Sequence, residues 1–226
     1  MRLLAFDTSG PALSAAVADR WHIRGARHEP LARGHAERLL PLLTEVMGEA
    51  GCAWHDLDLV VTSIGPGNFT GLRVGIATAR ALSLALERPV LGIGTLELAA
   101  QAAFDPADDR PIQVILDARR SEVYAQRFSG DLAPLSEPAL LSLDRIPEAW
   151  VPGSRLVADP IAGLGDLWGG DAMMETRLDA GNLVEAARRL LAAGVVAVPG
   201  RALRPLYLRQ PDARIGAGAS LLPAIG

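Results

Sequence analysis

Hydrophobic and polar positions along the chain change period in a repeating order, and that order predicts alternating strands and helices. Leu3 to Phe6 reads as a buried strand ending at Asp7. Ala12 to Ala18 returns as a second strand and Trp21 to His28 as a third. From Leu31 to Ala50 the apolar positions recur at helical spacing: Leu39, Leu40, Leu42, Leu43, Val46, Met47 and Ala50 cover nearly half the helix surface, with Gly51 as the stop. Pro41 must occupy the first turn of that helix or kink it, because it lacks the N–H an interior position uses. Leu57 to Ser63 forms the next strand. It runs into a turn bracketed by Gly65, Gly67 and Gly71, and a second helix follows to Leu86.

The second helix has almost no polar side. Leu72, Gly75, Ile76, Ala79, Leu82 and Leu86 make one apolar face, while Val74, Ala77, Ala81, Leu84 and Ala85 cover most of the other, leaving a narrow charged seam of Arg73, Arg80 and Glu87. Those charges keep the uncharged run below the ~18 residues that a bilayer crossing needs, so a membrane span is not expected. The glycine spacing is not the dinucleotide fingerprint, and no Lys-Ser/Thr pair follows it as a P-loop would require.

Pro89 to Ile93 and Leu96 to Phe104 read as strand and helix, and the polar, proline-flanked residues 105–111 as a linker. The opening pattern then returns. Ile112 to Leu116 is an apolar strand ending at Asp117, a polar Ala-Arg-Arg-Ser turn follows, and Glu122 to Phe128 alternates like its partner. Asp7 and Asp117 thus hold matching places in two strand-Asp-turn-strand units, as a duplicated lobe would place them. The expected division is an N-terminal lobe over residues 1–104, carrying interface helices, and a second, degenerate lobe over 105–226. Residues 130–180 are poor in periodicity, Asn182 to Ala193 is an amphipathic helix capped by Asn182 and stopped by Gly194, and the tail 211–226 is expected to be mobile.

Composition narrows the chemistry. All 22 basic residues among the 226 are arginine, and the absence of lysine excludes Walker-type ATPases, protein kinases, Schiff-base catalysis and Ser-x-x-Lys chemistry. The single cysteine, Cys52, leaves no internal disulfide or multi-Cys zinc site and fits a reducing, cytoplasmic compartment. With a net charge of −4, the chain lacks the excess positive charge of an autonomous nucleic-acid binder, so any RNA would need a partner's phosphate contacts. His35 could start a helical metal pair, but the position four residues on is Leu39, and no metal or cofactor is expected. No Gly-x-Ser-x-Gly elbow appears, and no catalytic residue is assigned. Asp7, Thr8 and Ser9 are the candidate nucleotide-binding positions, with Asp7 placed either to hold a metal-phosphate or to cap its own turn.

Several segments together resemble a known family. The opening RLLAFDTS, HAERLLP at 35–41, GPGNFTGLRVGIATARALS at 65–83, PVLGIGTLE at 89–97, LDARRSEVYAQ at 116–126 and PLYLR at 205–209 are similar, in this order, to the TsaB (YeaZ) proteins. The resemblance implies an α/β fold of two ribonuclease-H-like lobes of the actin/Hsp70/sugar-kinase superfamily. It also implies a non-catalytic, cytoplasmic subunit that heterodimerises with TsaD for threonylcarbamoylation of adenosine beside the anticodon, in tRNAs reading codons that start with A. A TsaE homologue would join a larger complex, tRNA would be met only through that complex, and the chain could form a homodimer when alone. TsaD relatives carry a His-x-x-x-His motif where this chain has His35 and Leu39, so that enzyme's metal chemistry does not transfer. The expected partner interface comprises Leu40, Leu43, Met47, Val74, Ala77, Ala81 and Leu84. The alternatives are a stand-alone ATPase or small-molecule kinase using Asp7 or Asp117, and a protease, for which no nucleophile-base pair is readable.

Overall fold

A computed structural model describes residues 1–146, 151–165, 173–176 and 178–209. Two five-stranded sheets organise it. The first contains β1 (Arg2–Asp7), β2 (Ala12–Asp19), β3 (His22–Pro30), β4 (Leu59–Gly65) and β5 (Val90–Gly94) in the order β3-β2-β1-β4-β5. Its β1 pairs antiparallel with β2 and parallel with β4. The second contains β6 (Ile112–Arg119), β7 (Glu122–Phe128), β8 (Ala139–Ser142), β9 (Arg155–Ala158) and β10 (Met173–Glu175). Its order, β8-β7-β6-β9-β10, repeats the first, and β6 again pairs antiparallel with the following strand and parallel with β9. Such paired sheets are the two ribonuclease-H-like lobes of the superfamily expected from sequence.

Strand periodicity sends alternate side chains to opposite sides of the first sheet. Leu4 and Phe6 pack under helices α1 (His35–Glu49) and α2 (Phe69–Leu86), whereas Leu3, Ala5, Leu59 and Val61 face helix α4 (Ala180–Ala192). Helix α3 (Thr95–Ala102) lies between the lobes, with Leu98 in the first core and Leu96, Ala99 and Ala100 packed with Ile112, Val114 and Phe128. Among the described helices α2 meets the length and composition of a membrane crossing, yet it carries Arg73 and Arg80 and seats Leu72, Ile76 and Ala79 in the interior.

Four readings are sharpened by the structure. Helix α4 is capped by Asp179, whose carboxylate accepts from Asn182 N at 3.0 Å, so Asn182 lies inside the helix. That helix packs on the first sheet although it follows the linker, because only its apolar stripe, and not the sheet it covers, was readable. Pro41 lies in the interior of α1 on its exposed side, not in the first turn. Short strands β8, β9 and β10 occupy the stretch of weak periodicity. The expected mobile tail falls outside the described residues.

Candidate functional site

A cleft of about 920 Å³ opens between the lobes, lined from one side by Asp7, Ser9 and the glycine turn and from the other by Asp117, Asp159 and Tyr124. The equivalent strands β1 and β6 thus deliver Asp7 and Asp117 to one cavity. Each is already engaged. Ser9 Oγ donates to Asp7 Oδ1 at 2.6 Å and Ser9 N approaches both carboxylate oxygens at 3.3 Å, closing a local turn. Asp7 is buried, and loss of solvation holds its carboxyl above the usual carboxylate range despite those bonds. Asp117 accepts from Arg119 N at 2.7 Å and pairs with the Arg119 guanidinium at 2.9 Å. Asp159 accepts from Asp117 N at 2.8 Å; burial, together with the neighbouring Asp117 charge, pushes its own pKa up.

The glycine turn serves the chain's own packing. A β-carbon on Gly67 would lie 2.7 Å from Ser9 O, and one on Gly71 or Gly75 would collide with Thr8. Thr8 Oγ1 donates to Gly71 O at 2.8 Å, so Thr8 faces α2 and does not line the cleft with its neighbours. Gly65, at φ +105°, lets the backbone of Leu206 cross close above it, and Leu206 N donates to Ile64 O at 2.7 Å. Residues 203–209 then run over the turn to the second lobe, where Arg209 forms an ion pair with Glu122. Asn68 caps α2 by accepting from Thr70 N at 3.1 Å and Gly71 N at 3.3 Å.

His35 is buried with Nε2 3.4 Å from Gly10 O, and Leu39 beside it belongs to the core. Among the described residues no group of three His, Cys, Asp or Glu side chains is placed to hold a metal ion.

The seven interface candidates divide. Leu43 and Met47 are buried in the chain's own core against the first sheet and are withdrawn from the candidate surface; the broad apolar arc of α1 is covered by β2, β3 and α2. Val74 is half-buried against the same core. Ala77 and Ala81 are exposed, as are Leu40 at 53% and Leu84 at 83%. Sequence reasoning missed Asp159, Tyr207 and Arg209 at the cleft. Asp159 follows β9 as Asp117 ends the apolar run of β6, but four residues are too few for that parallel to show.

A family model described as TsaD, tRNA N6-adenosine threonylcarbamoyltransferase, matches residues 23–157. A solved Pseudomonas aeruginosa structure, described as an uncharacterized protein with similarity to peptidase YEAZ, superposes with a TM-score of 0.81 at 30% identity, covering 92% of this chain and 99% of that one. The chain belongs to the TsaB (YeaZ) family. An Escherichia coli relative named tRNA threonylcarbamoyladenosine biosynthesis protein TsaB is 34% identical over 131 residues, 58% of this chain and 56% of its own length. The match to that TsaB protein therefore spans about half of each. An uncharacterized Mycobacterium tuberculosis protein is 36% identical over 220 residues, 94% of this chain and 93% of the relative. In this TsaB-family chain a cleft lies between the two lobes, and the turn beneath it is closed upon itself.

Proposed function

We propose that this chain acts in the biosynthesis of threonylcarbamoyladenosine in tRNA as a non-catalytic subunit, activating a TsaD-type threonylcarbamoyltransferase by pairing with it through the outer face of α2. The observation that carries the reading is the exposure of Leu84, an apolar side chain left in water one turn from Ala81 on a helix whose other face buries Leu72, Ile76 and Ala79. Ala77 and Ala81 have no bulk, so a second helix can approach the backbone closely there. The names borne by the TsaB relatives support the tRNA pathway, and the match of this chain to the TsaD model supports kinship with the enzyme proposed as its partner. The closed turn at Asp7, the engaged carboxylates and the absent lysine support a subunit without its own phosphoryl chemistry.

Mixing the chain with the TsaD homologue of the same organism and measuring mass by light scattering tests the pairing. The wild type should form a heteromer. Ala81→Arg should leave circular dichroism unchanged and abolish it, while Ile76→Arg, placing an unpaired charge in the core, should lose the fold. Unchanged affinity in a folded Ala81→Arg variant would move the interface elsewhere. ATP turnover by the isolated chain that Asp7→Ala abolishes would favour the stand-alone kinase or ATPase instead.

A further inference from the structure

Most arginines whose contacts are described are answered by carboxylates: Arg27, Arg38, Arg110, Arg119, Arg155, Arg188, Arg189 and Arg209 all form ion pairs. Arg20, Arg24, Arg33 and Arg127 form no ion pair among the described residues either, but one edge of the molecule brings five such arginines onto two segments that the fold ties together. Arg73 and Arg80 on α2, Arg88 just past its end, and Arg201 and Arg204 in the turn that packs beside it form no ion pair among the described residues. The fold gathers them. Ser83 Oγ donates to Arg88 O at 2.5 Å and accepts from Gly200 N at 3.0 Å, tying the two segments together at one point. Arg80 Nη2 donates to Leu203 O at 2.5 Å, and Arg204 Nη1 donates to the same oxygen at 3.0 Å. Arg80 Nε is buried without a hydrogen-bond partner in the described structure, so a partly buried guanidinium sits there with no counter-charge. Glu87, the one carboxylate in this stretch of sequence, is exposed and pairs with none of them.

At the other end the Arg73 guanidinium lies 3.8 Å from the centroid of Phe69, whose ring is 5.1 Å from that of Tyr207. Tyr207 is itself exposed. The edge therefore gathers five arginines over about 20 Å, from the helical rise of α2 alone, with a tilted Phe69–Tyr207 ring pair at one end. Gathering unpaired like charges in a chain of net charge −4 costs stability unless an anion meets them.

We propose that this arginine edge carries the phosphate backbone of RNA when the chain is in its complex. The inference rests on the proposed pairing, since the edge borders Ala77 and Ala81 and would continue into a groove formed with the partner. An extended row of guanidiniums with an exposed aromatic side chain fits a polynucleotide strand, which needs repeated anion contacts and offers bases to stack.

The test uses the complex with the TsaD homologue and end-labelled unfractionated tRNA from the same organism, with fluorescence anisotropy recorded over a range of salt. Arg88→Glu with Arg201→Glu is the edge variant, because neither side chain makes a hydrogen bond among the described residues. Arg20→Glu with Arg24→Glu on the β2–β3 hairpin is the control, carrying the same change in charge. The edge variant should bind about tenfold more weakly near 0.1 M salt and lower the slope of log Kd against log salt by ~1.5, while the control stays near wild type. Equal effects in the two variants, or no effect at the edge, would overturn the proposal. So would an edge variant that binds tRNA normally but no longer joins the complex, an outcome assigning the arginines to an acidic protein surface. A glutamine pair replaces the glutamates if circular dichroism shows misfolding. Light scattering judges the pairing separately: if the wild type forms no heteromer, that reading has failed, and the same difference in salt slope is then required of the chain alone.

Discussion

Gly71 and Gly48 both lie in helices of the first lobe, and a methyl group added at each would meet different surroundings. At Gly71 it would enter the backbone of Thr8, whereas at Gly48 nothing lies within 4 Å. Gly71→Ala should therefore cost about 1–3 kcal/mol or more through displacement of the β1 turn. Gly48→Ala, on the exposed side of α1, should stabilise by about 0.5–1 kcal/mol through lost freedom of the unfolded chain. Urea unfolding of both variants checks the pair, and a neutral Gly71→Ala would show that the turn is not packed against α2. Asp7 allows a sharper test. Its folded pKa is raised above 3.8, so the folded state keeps a proton that the unfolded state has released, and stability falls as pH rises from near 3.8 through the folded value. Asp7→Asn should remove that fall and raise Tm at pH 7 relative to wild type while changing little at pH 3. A lower Tm at pH 7 would mean that the charged carboxylate is worth more to its turn than burial costs.

At the scale of elements, the edge strand β3 is held to α1 chiefly by charge. Arg38 bridges Glu29 on β3, with Nε–Oε2 at 2.8 Å, and Glu45 on its own helix at 2.7 Å, while Arg27 of β3 pairs with Glu49. These bonds from Arg38 hold the Glu29 and Glu45 carboxyls below their ordinary range, so their contribution is present above about pH 4.5 and lost as pH falls through the depressed values. Arg38→Gln should lower Tm at pH 7, and the deficit should shrink on acidification. A deficit independent of pH would point to lost packing of the arginine stem instead. The same region shows where sequence reading stops. Apolar runs located β1, β2, β4, β5 and β6, because strands buried on both faces leave such runs, while alternation located β7; the third strand was read too, close to β3. A helical wheel cannot say how many neighbours cover a wide apolar arc. Leu43 and Met47 therefore looked available for a partner, although they lie against the sheet, whereas Ala77, Ala81 and Leu84 fell on the outer face because α2 has only one sheet beneath it.

For the whole molecule, the duplicated order of strands was foreshadowed by Asp7 and Asp117 at matching strand ends, and the cleft between them follows from that duplication. The return of α4 to the first sheet was not legible, because an amphipathic stripe records that a helix is covered and not by what. This return ties the two ends of the chain together. Leu183, Val184, Ala186 and Ala187 cover the face of the first sheet formed by Leu3, Ala5, Leu59 and Val61, and Ser14 Oγ accepts from Ala180 N at 2.8 Å. Arg189 adds an ion pair to Glu97 on α3 at 2.5 Å. The cover of one face of the first sheet is thus supplied from beyond the linker, and residues 1–104 alone would leave that face open to water. Leu183→Ala should accordingly destabilise the protein by about 2–5 kcal/mol, the cost of emptying a fully buried leucine site. In native-state hydrogen exchange the lost protection should appear in β1, β2 and β4, although the substitution lies after the second sheet in sequence. Loss confined to β6 through β9 would place α4 with the second lobe and separate the two cores. A shared loss across both sheets would mean that α3, packed between the two cores, makes them unfold as one unit.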